Sequence, residues 1–83
     1  MQVTIKLFAT LGKYLPPEAE KNVLRTEVED GTTVEQLIRE MNLPEELTHL
    51  VLVNGTYIQP EDRASKEFSP GDELAVFPPI AGG

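Results

Sequence analysis

The sequence contains no cysteine and a single histidine, His49. Without cysteine there is no disulfide, no thiolate metal site, no thiol nucleophile and no cysteine persulfide, so any sulfur chemistry must be carried on another atom. One histidine cannot build a zinc-holding cluster, and it leaves a Ser-His-Asp arrangement only one candidate base. His49 therefore reads as a structural or surface residue, and no metal site is expected. Positive charge is also scarce, with seven Lys and Arg against fourteen Asp and Glu and a net charge of −7. Nucleic-acid binding needs clustered Lys and Arg against phosphates, so a basic protein groove is the better partner. Long apolar runs are missing too: at the start of the chain the apolar positions alternate with Gln2, Thr4 and Lys6. That pattern is neither a signal-peptide core nor a membrane span, which makes the cytoplasm the expected location, with no membrane partner.

What is present is the composition of a folded protein: 40% hydrophobic and 25% charged residues. Eighty-three residues suffice for one modest core between two layers and leave no room for a separate catalytic domain.

From Gln2 to Thr10, Val3, Ile5, Leu7 and Ala9 alternate with Gln2, Thr4, Lys6 and Phe8, the pattern of a half-buried strand with Phe8 as an exception on its wet face. Leu11 to Leu15 fits a short turn of helix ended by Pro16-Pro17. A second strand is expected from Asn22 to Val28. Asp30-Gly31 breaks it, and Thr33 with Gln36 three residues on forms a capping-box pattern. The helix that follows carries Val34, Leu37, Ile38 and Met41 on one face, and Asn42 and Pro44 mark its end. Leu50 to Val53 followed by Asn54-Gly55 signals a hairpin with a short return strand at Tyr57-Ile58. Residues 59 to 68 read as polar and irregular. Ser69-Pro70-Gly71-Asp72 then turns the chain into a last strand, Glu73 to Phe77, with Leu74 and Val76 inward.

One amphipathic helix must be covered by one sheet, so the expected class is a two-layer α+β domain. A first hairpin, a crossing helix and a last strand returning to the middle of the sheet describe a β-grasp fold. The expected sheet is mixed, with four to five strands packed on one main helix.

The expected division is a β-grasp domain over 1–77 and an extended, flexible C-terminal tail over 78–83. Pro78 and Pro79 cannot continue a strand ladder and favour an extended segment. Six residues at roughly 3.3 Å each would reach about 20 Å, enough to thread a pocket on a partner enzyme. Side chains shrink from Ile80 to Ala81 to Gly82 and Gly83, so no Cβ obstructs attack at a carboxylate on Gly83.

The chain resembles the MoaD/ThiS family of ubiquitin-like sulfur carriers, most closely its molybdopterin synthase small-subunit branch. The likeness is carried by VTIKLFATLGKYL from Val3 to Leu15, the capped helix, Val53-Asn54-Gly55, Pro70-Gly71-Asp72-Glu73-Leu74 and above all Phe77-Pro78-Pro79-Ile80-Ala81-Gly82-Gly83. The resemblance implies that a ubiquitin-activating-like enzyme of the MoeB/ThiF type adenylates Gly83 with ATP. A persulfide then replaces AMP and leaves a thiocarboxylate. No cofactor is expected to stay bound, ATP being consumed by the activating partner. In the molybdopterin branch the sulfur goes to a pterin precursor held by the synthase large subunit of the MoaE type, with molybdenum or tungsten as the eventual metal. Gly83 is thus the reacting residue, Gly82, Ala81, Ile80, Pro79 and Pro78 form the tail, and the isolated chain is not expected to catalyse anything alone.

The outward-facing Phe8 and Phe77 are the expected partner-binding residues, on strands that lie side by side in the family's fold. Glu61, Asp62, Asp72 and Glu73 read mainly as solubilising. The resemblance leaves three alternatives: a carrier for thiazole or thiamine sulfur or for another acceptor enzyme, a modifier joined through Gly83 to lysine, and a pure interaction module.

Overall fold

Alternating apolar residues build the first strand, β1, over Gln2–Leu7 in the computed structural model, which describes residues 1–79. Val3, Ile5 and Leu7 point into the core and are almost completely buried. The strand ends three residues earlier than its alternation suggests because Ala9 takes a left-handed φ of 51° and a 3-10 helix runs over Ala9–Tyr14. Ala9 is consequently exposed, and Leu11 fills the interior position instead.

Strand β2 covers Val23–Glu27. It is preceded by a tight turn in which Glu20 and Val23 exchange both backbone hydrogen bonds, at 3.0 and 2.9 Å, while Lys21 and Asn22 have positive φ. Asn22 belongs to that turn, so the strand is shorter than the Asn22–Val28 expected.

Helix α1 spans Val34–Glu40, and the capping box is formed as read: the Gln36 N–H donates to Thr33 Oγ1 at 3.2 Å and the Thr33 N–H donates to Gln36 Oε1 at 2.9 Å. Its far end closes through Asn42, whose φ of 61° lets the Asn42 N–H reach Arg39 O and the Leu43 N–H reach Ile38 O. These are the two bonds of a Schellman motif, and Leu43 is buried beside the helix as that motif favours.

Strand β3, Leu50–Val53, and strand β4, Thr56–Tyr57, flank Asn54-Gly55, where φ values of 52° and 83° fit a type I′ turn. Strand β5 is Glu73–Phe77. The sheet order is β2-β1-β5-β3-β4, with β1 and β5 parallel and the other pairs antiparallel. The last strand therefore lies in the middle, and one helix covers one face of a five-stranded mixed sheet. This is the ubiquitin-like β-grasp arrangement.

The core joins Val34, Leu37 and Ile38 of the helix to Val3, Ile5, Leu7, Val51, Val53, Leu74 and Val76 of the sheet. At the helix N-terminus, the Val34 and Glu35 N–H groups donate to Lys66 O and Arg63 O, both at 2.9 Å. The stretch from 59 to 68, polar in sequence, thus satisfies donors that the first helical turn leaves without partners, and it buries Arg63 and Phe68.

Candidate functional site

The pleat of β5 turns Leu74 and Val76 to the core and leaves Glu73, Ala75 and Phe77 on the opposite face. Register then defines the neighbours on that outer face. Phe77 lies opposite Leu50, Ala75 between Lys6 and Leu52, and Leu52 opposite Tyr57. Beyond the end of β1, the Phe8 N–H donates to Val76 O at 3.1 Å, which sets the Phe8 ring beside Phe77. The two rings stack with centroids 4.1 Å apart and planes inclined by 6°.

The result is an apolar surface formed by Phe8, Phe77, Leu50, Leu52, Tyr57 and Ala75. Leu50 and Tyr57 are 37% and 42% exposed, the large hydrophobic residues most open to water among the described residues. Sequence reading named Phe8 and Phe77 but missed Leu50, Leu52 and Tyr57. The available signal was the run Leu50-Val51-Leu52-Val53, which has apolar residues on both of its faces although only one can meet the helix. At the opposite end of this face, Lys6 and Glu73 form an ion pair at 3.2 Å.

Where β5 ends, hydrogen bonding changes character. Even-numbered residues of β5 pair through their backbone with β1, and odd-numbered ones with β3, as the acceptors Val76 O for Phe8 and Phe77 O for His49 show. Pro78 and Pro79 occupy the next two positions, and neither has an N–H to give. Pro78 is half-buried and Pro79 exposed. Ile80, Ala81, Gly82 and Gly83 lie outside the described residues.

Three other features bear on what the surface can do. Asn54 and Asp72 join the β3–β4 turn to the turn before β5: Asn54 Nδ2 donates to Asp72 Oδ1 at 2.8 Å, and the Glu73 N–H donates to Asn54 Oδ1 at 2.9 Å. They brace the edge of the apolar face. Glu61 and Asp62 are exposed in a short 3-10 helix, Pro60–Asp62, with no described charged partner. Among the described residues no helix is long and apolar enough to cross a membrane.

An outward apolar face ending at a Pro-Pro step, on a β-grasp sheet, is the context in which comparison with known proteins becomes informative. The ThiS family matches residues 5–83. The chain belongs to the ThiS family.

The solved structures similar to this ThiS-family chain include a small archaeal modifier protein and subunits of molybdopterin converting factor. SAMP1, the small archaeal modifier protein 1 of Haloferax volcanii, is 26% identical with a TM-score of 0.69, and the match covers 100% of both chains. A candidate molybdopterin converting factor subunit 1 from Pyrococcus furiosus is also 26% identical with a TM-score of 0.69, over 95% of this chain and 98% of that one. The complex of subunits 1 and 2 of molybdopterin-converting factor from Helicobacter pylori contains a chain of the same fold, 17% identical with a TM-score of 0.61 over 100% of both chains. No curated protein matches the sequence.

Proposed function

We propose that this ThiS-family chain is the sulfur-carrying small subunit of a molybdopterin synthase. The observation that carries the reading is the placement of the apolar face, centred on the Phe8–Phe77 stack, at the end of the strand that leads through Pro78-Pro79 to Gly82-Gly83. A partner seated on that face would have the terminal glycines within its reach. The family match, which runs through Gly83, and the likeness to a subunit 1 of molybdopterin converting factor support the assignment.

In this reading residues 1–77 are the docking domain and 78–83 the reactive tail. An adenylating enzyme of the MoeB/ThiF type binds the domain, and the Gly83 carboxylate attacks the α-phosphorus of ATP and releases pyrophosphate. The terminal sulfur of a persulfide displaces AMP, forming an acyl disulfide, and a donor-side thiol cleaves it to leave the thiocarboxylate. Glycine at 82 and 83 leaves both faces of the reacting carbonyl open. The large subunit then docks on the same apolar face and supplies the catalytic side chains. Subunits 1 and 2 of the Helicobacter pylori factor form a complex, so a chain of this fold pairs with a second subunit there.

A second reading has its own support, since SAMP1 is as similar as the converting factor subunit. In a modifier, the amine of a target lysine would attack the same acyl-adenylate. One experiment separates the two. The chain is purified from its native host, its intact mass is measured, and lysine adducts are sought by digestion. Exchange of one oxygen for sulfur at Gly83 supports the carrier; target lysines bearing a remnant of this chain that ends in Gly82-Gly83, running from Glu67 after tryptic cleavage at Lys66, with no thiocarboxylate, support the modifier. An unmodified terminus, persisting with the activating enzyme and ATP present, overturns both.

A further inference from the structure

Lys6 interrupts an apolar row. On the outer face of the sheet it stands between Val23 of β2 and Ala75 of β5, and the same row continues through Leu52 to Tyr57. The next row holds Phe8, stacked on Phe77, and Leu50 opposite Phe77. An ammonium group therefore borders the surface proposed for partner docking, with an apolar residue on either side of it along its row.

Lys6 Nζ has three donors, and the partner described for it is Glu73 Oε1 at 3.2 Å. The two side chains are 37% and 41% exposed, so water serves the remaining donors in the free chain. A partner seated on the apolar face displaces that water. Unless it brings acceptors of its own, it covers an ammonium whose donors are left unmatched, which is strongly unfavourable.

Charge decides what kind of acceptor fits. Arg25 lies opposite Thr4, on the same face as Lys6 and diagonal to it across β1 and β2. Diagonal positions of an antiparallel pair are about 7–8 Å apart, so two long side chains there can reach one shared group. Arg25 is exposed, and no carboxylate among the described residues pairs with it. Glu27, also on this flank, is held by the Met1 amino group at 3.4 Å. Although the chain as a whole carries a charge of −7, this flank sets Lys6 and Arg25 against one further carboxylate, Glu73, which Lys6 already holds.

We propose that Lys6, with Arg25 beside it, receives a carboxylate of the adenylating enzyme when that enzyme seats on the Phe8–Phe77 face. The pair thus selects a docking surface that is apolar at its centre and acidic at this flank. The proposal rests on the reading of that face as the docking surface, and not on whether the activated Gly83 passes to sulfur or to a lysine. A partner that is basic throughout, which the net charge alone would favour, meets Lys6 and Arg25 as like charges. A partner that is apolar throughout leaves donors of Lys6 unmatched. Both are rejected by what they fail to offer.

The test is calorimetric titration of the full chain against its host's adenylating enzyme. Glu73→Gln frees Lys6 from its own carboxylate and tightens binding severalfold. Weaker binding by this variant would mean that the enzyme presents a cation to Glu73, and would overturn the proposal. In the Glu73→Gln background, Lys6→Met keeps a long side chain and removes its charge. Affinity then falls roughly thirtyfold or more, the loss that follows removal of one member of a covered, hydrogen-bonded charge pair. Lys6→Arg in the same background stays within a fewfold of its parent, and Arg25→Gln in the wild-type chain weakens binding about threefold, as for a rim cation. Equal or tighter binding by Lys6→Met in that background would overturn the proposal, because an apolar side chain suits an apolar partner better than an unmatched ammonium does.

Lys6 and Glu73 are half-exposed, so the thermal midpoints of these variants stay within a few degrees of wild type. The Glu73→Gln arm decides even if Lys6→Met folds poorly. Phe8→Ala reads the docking surface itself. If it binds as tightly as wild type, the enzyme docks elsewhere and the underlying reading fails. If it weakens binding while Lys6→Met in the Glu73→Gln background does not, the docking face stands and the acidic flank is refuted.

Discussion

Asn54 and Asp72 hold each other across two turns: the Asn54 side-chain amide donates to Asp72 Oδ1 at 2.8 Å, while the other Asp72 oxygen accepts the Ser69 N–H at 2.8 Å. One carboxylate thus fixes both the hairpin that presents Leu50, Leu52 and Tyr57 and the turn that aims β5 between β1 and β3. Asp72→Ala removes both acceptors. Since the pair is exposed and water replaces part of what is lost, the expected cost is about 1 kcal/mol. For a domain of this size that lowers the thermal midpoint by about 4–8 °C, measurable by circular dichroism. An unchanged midpoint would mean that the clamp is decorative.

The stacked pair Phe8 and Phe77 gives the second prediction. Phe8 is half-buried and lies beyond the end of β1, so truncating it removes little from the core under α1. Phe8→Ala should weaken binding to the activating enzyme or the large subunit by about 2 kcal/mol, roughly thirtyfold, as for a central aromatic anchor. The fold should lose only about 1–2 kcal/mol. Calorimetric titration beside a thermal melt separates the two effects. A collapsed midpoint with unchanged affinity would make the stack structural.

How much of this was legible in sequence depended on how local the cause was. The capping box of Thr33 and Gln36, the Asn54-Gly55 turn and the alternation of Val3, Ile5 and Leu7 each arise from neighbouring residues, and each formed as read. Arg63 and Phe68 were hidden in a stretch that looked like surface loop. Their burial depends on main-chain partners at Thr48, Ile58 and Thr32, which only the folded topology brings close. The early end of β1 was likewise invisible, because nothing in Ala9 announces a left-handed φ. At the candidate site the pairing of Phe8 with Phe77 needed β5 to insert beside β1, a fact of strand order rather than of either local pattern.

Leu50 tests the wider apolar face. It is 37% exposed and lies opposite Phe77, so a charge there meets water in the free protein and an apolar partner in the complex. Leu50→Asp should shift the thermal midpoint by no more than a few degrees while reducing partner affinity by tenfold or more, because burying an unpaired carboxylate costs several kcal/mol. Ala64→Asp, an exposed position outside this face with the same charge change, is the matched control and should leave affinity nearly unchanged. Equal losses in both variants would indicate that net charge, and not this face, governs docking.

The reactive end can be tested without touching the domain. Adding one alanine after Gly83 moves the carboxylate away from the Gly-Gly step and places a Cβ beside the reacting carbonyl. The β-grasp domain, whose core residues among those described all precede Pro78, should keep its thermal midpoint. Binding to the activating enzyme should persist, because the Phe8–Phe77 surface is unchanged. Adenylation, followed by pyrophosphate release, should fall to background, and intact mass should show no exchange of oxygen for sulfur. This combination, docking retained with chemistry lost, distinguishes a carrier whose end must fit an active site from an interaction module whose end does nothing. Thiocarboxylate formation at normal rates in the extended chain would place the reacting atom elsewhere and remove the basis of the proposed mechanism.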